Sequence, residues 1–133
     1  MIYLDTAALV KLVRVEAESP ALVGWLNARS GQPLVASALV EVEVPRALRR
    51  SQPGVLGAVA GVLARLHRIE INAAVRATAG AYPESTLRSL DAIHLATAEL
   101  LVASGKQLSA FVTYDKRLAA VAGQASLPVA APD

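Results

Sequence analysis

An apolar run that stops abruptly on a carboxylate, Ile2-Tyr3-Leu4-Asp5-Thr6, constrains this chain more than any other stretch. Three apolar residues in a row suit a strand covered on both faces, as in a parallel sheet. The carboxyl end of such a strand lies on the edge where open α/β sheets bind their ligands. Asp5 is therefore a candidate site residue, and the other acids are placed relative to it.

Downstream, strand-like and helix-like segments alternate. Thr6 to Val15 puts Ala8, Leu9, Leu12 and Val13 on one helical face, with Asp5 or Thr6 as N-cap. Ser19-Pro20 opens a second helix, a cap followed by proline, that runs to Gly31 and forms a hairpin with the first. Leu34-Val35-Ala36 is a second strand, closed by Ser37, and a helix follows from Ala38 to about Arg50. Pro45 removes a backbone donor inside that helix and should kink it. Pro53 to Leu66 is helical, and its Gly54, Gly57 and Gly61 fit close helix packing. They do not form a phosphate-binding loop, because no strand precedes them and no Gly-Lys-Ser/Thr follows. Ile69-Glu70-Ile71 alternates as a strand, Asn72 caps a helix from Ala73 to Gly80, and Tyr82-Pro83 breaks the chain. A long helix spans Ser89 to Ser104 with Gly105 as its stop. Phe111-Val112-Thr113-Tyr114 is a strand ending on Asp115, followed by a helix from Lys116 to Ala122 and a short strand around Val129. The pattern predicts an α/β fold: a mostly parallel, twisted sheet of about five strands with helices on both faces, in three layers.

At 133 residues the length fits one domain spanning residues 1–133. A chain that is 54% apolar and 18% charged is not disordered, and the apolar excess suggests a homodimer or a tightly bound protein partner. Candidate docking segments are Thr6 to Val15 and Pro53 to Leu66, whose apolar faces equally suit the core. The net charge of +2 permits a nucleic-acid partner without identifying one, although Arg, which supplies ten of the thirteen basic residues, suits phosphate better than Lys. With no cysteine there is no disulfide framework, thiolate nucleophile or zinc cluster. No uncharged stretch reaches the ~20 residues of a membrane span, and no signal-peptide pattern opens the chain, so a soluble cytoplasmic protein is expected.

Four aspartates are present, and Asp133 is the last residue. Asp5, Asp91 and Asp115 each fall at a helix start, where an aspartate is amply explained as an N-cap. Taken together they say more, since strand ends and the helix starts after them share one edge of a doubly wound sheet. Glu43, near the start of the helix after the second strand, can reach the same edge. Two unit charges 4 Å apart repel by about 4 kcal/mol at an effective dielectric of 20. A cluster of such acids calls for cations, and hard oxygen ligands without His or Cys select Mg²⁺ or Mn²⁺. Chemistry of that kind suits phosphodiester hydrolysis.

The four segments that carry these acids are Ile2-Tyr3-Leu4-Asp5-Thr6-Ala7-Ala8-Leu9-Val10-Lys11, Ser37-Ala38-Leu39-Val40-Glu41-Val42-Glu43, Leu87-Arg88-Ser89-Leu90-Asp91-Ala92-Ile93-His94-Leu95-Ala96-Thr97-Ala98 and Phe111-Val112-Thr113-Tyr114-Asp115-Lys116-Arg117-Leu118. In this order and spacing the chain closely resembles the PIN-domain ribonuclease toxins of VapBC toxin-antitoxin systems along essentially its whole length. The resemblance implies a PIN-like fold. It implies a metal-dependent endoribonuclease toxin that cleaves structured RNA such as tRNA or rRNA, leaving 5′-phosphate and 3′-hydroxyl ends, and a cognate VapB-like antitoxin that silences it. It places the catalytic and metal-binding acids at Asp5, Glu43, Asp91 and Asp115. Glu41 competes for the second position, since residues two apart on a helix face different ways, and the motif favours Glu43. Pro45 departs from the apolar residue usual in the family. Thr6 and Thr113 are candidate partners for a ligand carboxylate or water, and Arg88, Lys116 and Arg117 are candidate phosphate contacts. His94, one turn beyond Asp91, is expected to pack within the helix layer.

Two other readings are open at this point. One is a PIN-like RNA- or protein-binding module without catalysis. The other is a receiver-like phosphoacceptor domain, which would want an acidic pair after strand one and an Asp after strand three. Here Asp5 is followed by Thr6, and Ile71 by Asn72.

Overall fold

Three-residue strands with polar stops set the scale of the sheet. The computed structural model describes residues 1–133. Strand β1 (Ile2–Leu4) is fully buried and lies at the centre of a five-stranded sheet of order β3-β2-β1-β4-β5. It pairs with β2 (Leu34–Ser37) and β4 (Ala110–Val112), which pair in turn with the edge strands β3 (Leu66–Ile69) and β5 (Val129–Ala130), and every pairing is parallel. The chain winds outward from β1 to β3, returns to β4 and winds out the other way. The reversal between β1 and β4 leaves a crevice beyond their carboxyl ends, where doubly wound sheets take ligands. A receiver-like strand order of 2-1-3-4-5 is excluded.

Alternation along the central strands divides the core. Ile2, Leu4, Ala36, Ala110 and Val112 face a cluster that includes helices α1 (Thr6–Val13), α2 (Ser19–Asn27), α3 (Val40–Ser51) and α4 (Val59–Leu63). Tyr3, Val35 and Phe111 face the opposite layer, where α6 (Ser89–Ala103) and α7 (Lys116–Gln124) supply Leu95, Ala98, Leu118 and Ala122. The remaining helix, α5 (Ala73–Ala81), packs on α6. The expected three-layer α/β arrangement is the one observed.

Several local expectations need correction. The third strand is Leu66–Ile69, not Ile69–Ile71. It is an edge strand with His67 and Arg68 exposed, so its period was hidden, and the Ile-Glu-Ile alternation belongs to the loop after it. Helix Pro53–Leu66 is instead a 3-10 helix, Pro53–Ala58, followed by the short α4. A Cβ on Gly54, Gly57 or Gly61 would meet nothing within 4 Å, so these glycines do not serve close packing. They weaken α-helix propensity instead, each by about 1 kcal/mol against alanine. Ser19 does not cap α2: its hydroxyl donates to the Lys11 carbonyl and accepts from the Glu16 N–H. The strand expected over Phe111 to Tyr114 is instead Ala110–Val112, so Thr113 and Tyr114 lie in the loop after it. Helix α3 runs through Pro45 without interruption. Gly105 does stop α6, at φ +93°, with the Lys106 N–H bonded to the Leu101 carbonyl and its own N–H to that of Val102, a Schellman turn.

Candidate active site

Asp5 follows β1 directly and caps α1: its Oδ1 accepts the Ala8 N–H at 2.9 Å, while its own N–H donates to the Val112 carbonyl of β4. A polar side chain that stops the strand also starts the helix, which fixes the carboxylate at the switch point. Asp115 repeats the arrangement after β4, with Oδ1 accepting the Leu118 N–H at 2.9 Å. Asp91 lies in the first turn of α6 and Glu43 in the first turn of α3. Carboxylates from four separate segments thus line one cavity of about 300 Å³, together with Thr6, Arg88 and His94.

The cavity is electrostatically crowded. Asp5 is 4% exposed, and burial pushes its carboxyl above the usual aspartate range, with the charge of Asp91 adding to the push. His94, the Thr113 hydroxyl and the Ala8 N–H act against that shift without cancelling it. Asp91 is also raised, by burial first and then by the charge of Asp115. Arg88 spans those two acids, its Nε 3.3 Å from Asp91 and an Nη 3.1 Å from Asp115, on a side chain that is 67% exposed. Glu43 differs from both. Burial alone would raise it, yet hydrogen bonds from His94 and Thr6 hold it below the usual range. The Thr6 hydroxyl donates to Glu43 Oε1 at 2.5 Å, and His94 Nε2 lies 3.1 Å from the same oxygen.

A model of the PIN domain matches residues 2–124. The chain belongs to the PIN-domain family. Within it, the chain is a VapC-type toxin. It is 56% identical to ribonuclease VapC35 of Mycobacterium tuberculosis, over 99% of this chain and 97% of that protein. It is 40% identical to ribonuclease VapC47 of the same species, again over 99% and 97%. Among solved structures, M. tuberculosis VapC20, a sarcin-ricin loop cleaving toxin, superposes with a TM-score of 0.70 at 18% identity, covering 91% of this chain and 95% of that one. VapBC2 of Rickettsia felis, bound to a DNA fragment from its promoter, gives 0.68 at 15% identity with both chains fully covered. These two likenesses establish the PIN fold, and the closer VapC relatives make the chain an RNA-cleaving toxin.

The PIN domain brings together Asp5, Glu43, Asp91 and Asp115, with Thr6 and Arg88 beside them. Thr113 is buried and does not line the cavity, and its hydroxyl accepts the Asp115 N–H at 3.1 Å. Lys116 and Arg117 are exposed at the start of α7 and do not line the cavity. Glu41 points away from it and pairs with Arg68 of β3 at 3.5 Å. The donor set, four hard carboxylates on one cavity with two of them mutually repelled, suits Mg²⁺ or Mn²⁺. No three acids and histidines stand gathered as a finished cage, since Arg88 engages two carboxylates and His94 with Thr6 a third. Sequence reasoning placed His94 among packed residues, and it is indeed only 2% exposed. It missed that Tyr3 and His94 form a polar path to Glu43. The signal was available: a tyrosine inside an otherwise aliphatic strand needs a partner for its hydroxyl.

Proposed function

We propose that this VapC-type PIN domain is an Mg²⁺- or Mn²⁺-dependent endoribonuclease that hydrolyses a structured cellular RNA, such as tRNA or rRNA, in the cytoplasm. The observation that carries this reading is the meeting of four carboxylates, from β1, α3, α6 and the end of β4, on one cavity at the switch point. Asp5, Asp91 and Asp115 hold the cation, and Glu43 binds it or orients the attacking water. A divalent cation supplies there the neutralisation of phosphoryl charge and the activation of water that carboxylates alone cannot provide. Asp5 is fixed by its cap to α1 and cannot swing away from the cavity, so it anchors the site. Glu43 is kept ionised by its hydrogen bonds, as a ligand or water-orienting group must be.

Arg88 is the basic side chain best placed for the RNA. Its guanidinium stands at the mouth of the cavity, and a planar donor fork suits a phosphate. Cleavage leaves 5′-phosphate and 3′-hydroxyl ends. A cognate antitoxin restrains the activity in the cell, a reading supported by the likeness to the VapBC2 complex of Rickettsia felis. The test is incubation of purified protein with total RNA, with Mn²⁺ or with EDTA. Cleavage that needs the metal supports the reading, and equal cleavage in EDTA refutes it.

A further inference from the structure

We propose that Tyr3 and His94 form a buried positioning relay that fixes the orientation of Glu43, so that one of its oxygens is bound by the protein and the other is presented to the cavity. The inference rests on the ribonuclease reading for its kinetic consequences but not for its geometry.

Both nitrogens of the His94 ring are engaged. Nδ1 lies 2.7 Å from the Tyr3 hydroxyl, and Nε2 lies 3.1 Å from Glu43 Oε1 and 3.0 Å from Thr6 Oγ1. Proton directions follow from the ends of the path. The Ser37 N–H donates to the Tyr3 oxygen at 3.2 Å, which leaves the single phenolic proton free for Nδ1. Nε2 then carries a proton, aimed at Glu43 Oε1 and flanked by Thr6. The opposite tautomer would set an Nε2 lone pair against a carboxylate lone pair. Thr6 gives its own proton to the same Oε1, so two donors from two elements hold one oxygen. No protein hydrogen bond reaches Oε2.

The relay has reason to exist because backbone alone holds this turn of α3 weakly. Pro45 removes the N–H that would bond the Glu41 carbonyl, two residues from Glu43. A three-torsion glutamate at such a place has many rotamers to lose. The relay supplies what the backbone does not, and it is itself rigid: Tyr3 is fully buried and stacks on Phe111 at 5.1 Å with an interplanar angle of 9°. Through it the sheet centre, α6 and α3 are held in one register. Outer partners of this kind typically change activity or metal affinity by about 10–100-fold when removed.

Two measurements test the relay, one of them independent of nuclease activity. In nitrogen-15 spectra of histidine-labelled protein, with His67→Ala used for assignment, His94 Nε2 is expected to carry a proton. A ring protonated only on Nδ1 overturns the proposal, whatever the enzyme assay gives. In steady-state cleavage with Mn²⁺, His94→Ala is expected to lower kcat by about 10–100-fold with the KM for RNA changed far less. Tyr3→Phe, which removes one oxygen and keeps the stacked ring, gives a smaller loss of the same kind. His94→Gln, whose amide can donate near the Nε2 position, recovers part of the rate. His94→Ala combined with Glu43→Ala is no worse than Glu43→Ala alone, because the two residues act as one unit. Multiplicative losses in the double variant, or equal loss in His94→Gln and His94→Ala, overturn the relay while leaving the metal-dependent reading intact. That reading fails separately, if the unmodified protein cleaves equally well in EDTA.

Discussion

The two ends of helix α1 carry buried charges of opposite sign, and the fold treats them differently. Near its last turn, Lys11 is 9% exposed, and its ammonium meets Glu18 at 3.0 Å, Glu16 at 3.2 Å and the face of Tyr114 at 4.7 Å. Burial would lower the lysine, but the two carboxylates outweigh it and raise it above its usual range. At the other end, Asp5 is more deeply buried and pairs with no lysine or arginine, so burial raises it although His94, the Thr113 hydroxyl and the Ala8 N–H act against the shift. Both side chains line the same cavity. The lysine's charge is matched by its neighbours and the aspartate's is left under-compensated, the pattern expected of a carboxylate that, on the proposed reading, a cation completes.

The largest effects expected from this contrast belong to Asp5 and Asp91. Asp5→Asn keeps an oxygen that can cap α1 but removes a charge, and Asp91→Asn does the same within the acidic group. Each is expected to reduce Mn²⁺-dependent cleavage by at least about 10²–10³-fold, the usual cost of removing one group that stabilises developing charge. In EDTA at neutral pH each variant melts at a higher temperature than the parent protein, because a carboxylate that was costly to ionise is gone. Thermal melts check this directly, and a lower melting temperature for Asp5→Asn would break the contrast.

Next in size is the response to metal and pH. The folded carboxyls of Asp5 and Asp91 lie above their unfolded values, so their contribution to stability is fully present below the ordinary aspartate pKa of about 3.9 and is lost as pH rises through the raised values. Melting temperature in EDTA therefore declines over that rise. Mn²⁺ at a hundred times its Kd adds about 2.7 kcal/mol, and the gain grows with pH across the same window as the ligands ionise. A metal shift independent of pH would show that these carboxyls are not the ones engaged.

The sheet was legible in the sequence because its central strands are short apolar runs ending on polar stops, and Asp5 and Asp115 announce both the strand end and the helix start. Edge strand Leu66–Ile69 was not, since two of its four side chains face solvent and only Leu66 and Ile69, at its two ends, reach the core. Gly54, Gly57 and Gly61 misled because spacing alone cannot tell a packed helix from a poorly formed one. In the site, the four acids could be listed but not their protonation preferences, which depend on burial and on which oxygen each neighbour reaches. The Tyr3 to His94 to Glu43 path joins residues 40 to 91 positions apart, and no local pattern encodes such a contact.

A smaller effect lies at the other end of α1. Lys11→Met keeps much of the buried stem and leaves Glu16 and Glu18 still in reach of water, so it should cost about 1–2 kcal/mol of stability, combining a partly exposed ion pair and a cation–π contact. Its pH behaviour runs opposite to that of Asp5. The folded lysine lies above its unfolded value, so its contribution is present throughout the neutral range and is lost only as pH rises through that raised value. Denaturant titrations at neutral and strongly alkaline pH measure this, and the cleavage rate should change by no more than a few-fold. A loss as large as that of Asp5→Asn would mean that Lys11 belongs to the site rather than to the fold.

The smallest expected effect separates the neighbouring acids of α3. Glu41 pairs with Arg68 at 3.5 Å, on side chains 46% and 37% exposed, and it lies outside the cavity that Glu43 lines. Exposed pairs of this kind are worth about 0–1 kcal/mol. Glu41→Gln should therefore leave both melting temperature and cleavage nearly as they were, while Glu43→Gln, only two residues away, removes a carboxylate that two donors hold ionised against its burial. Because both substitutions make the same chemical change on one turn of one helix, the ratio of their cleavage rates isolates orientation toward the cavity. A ratio near one would mean that α3 does not aim Glu43 at the reacting phosphate.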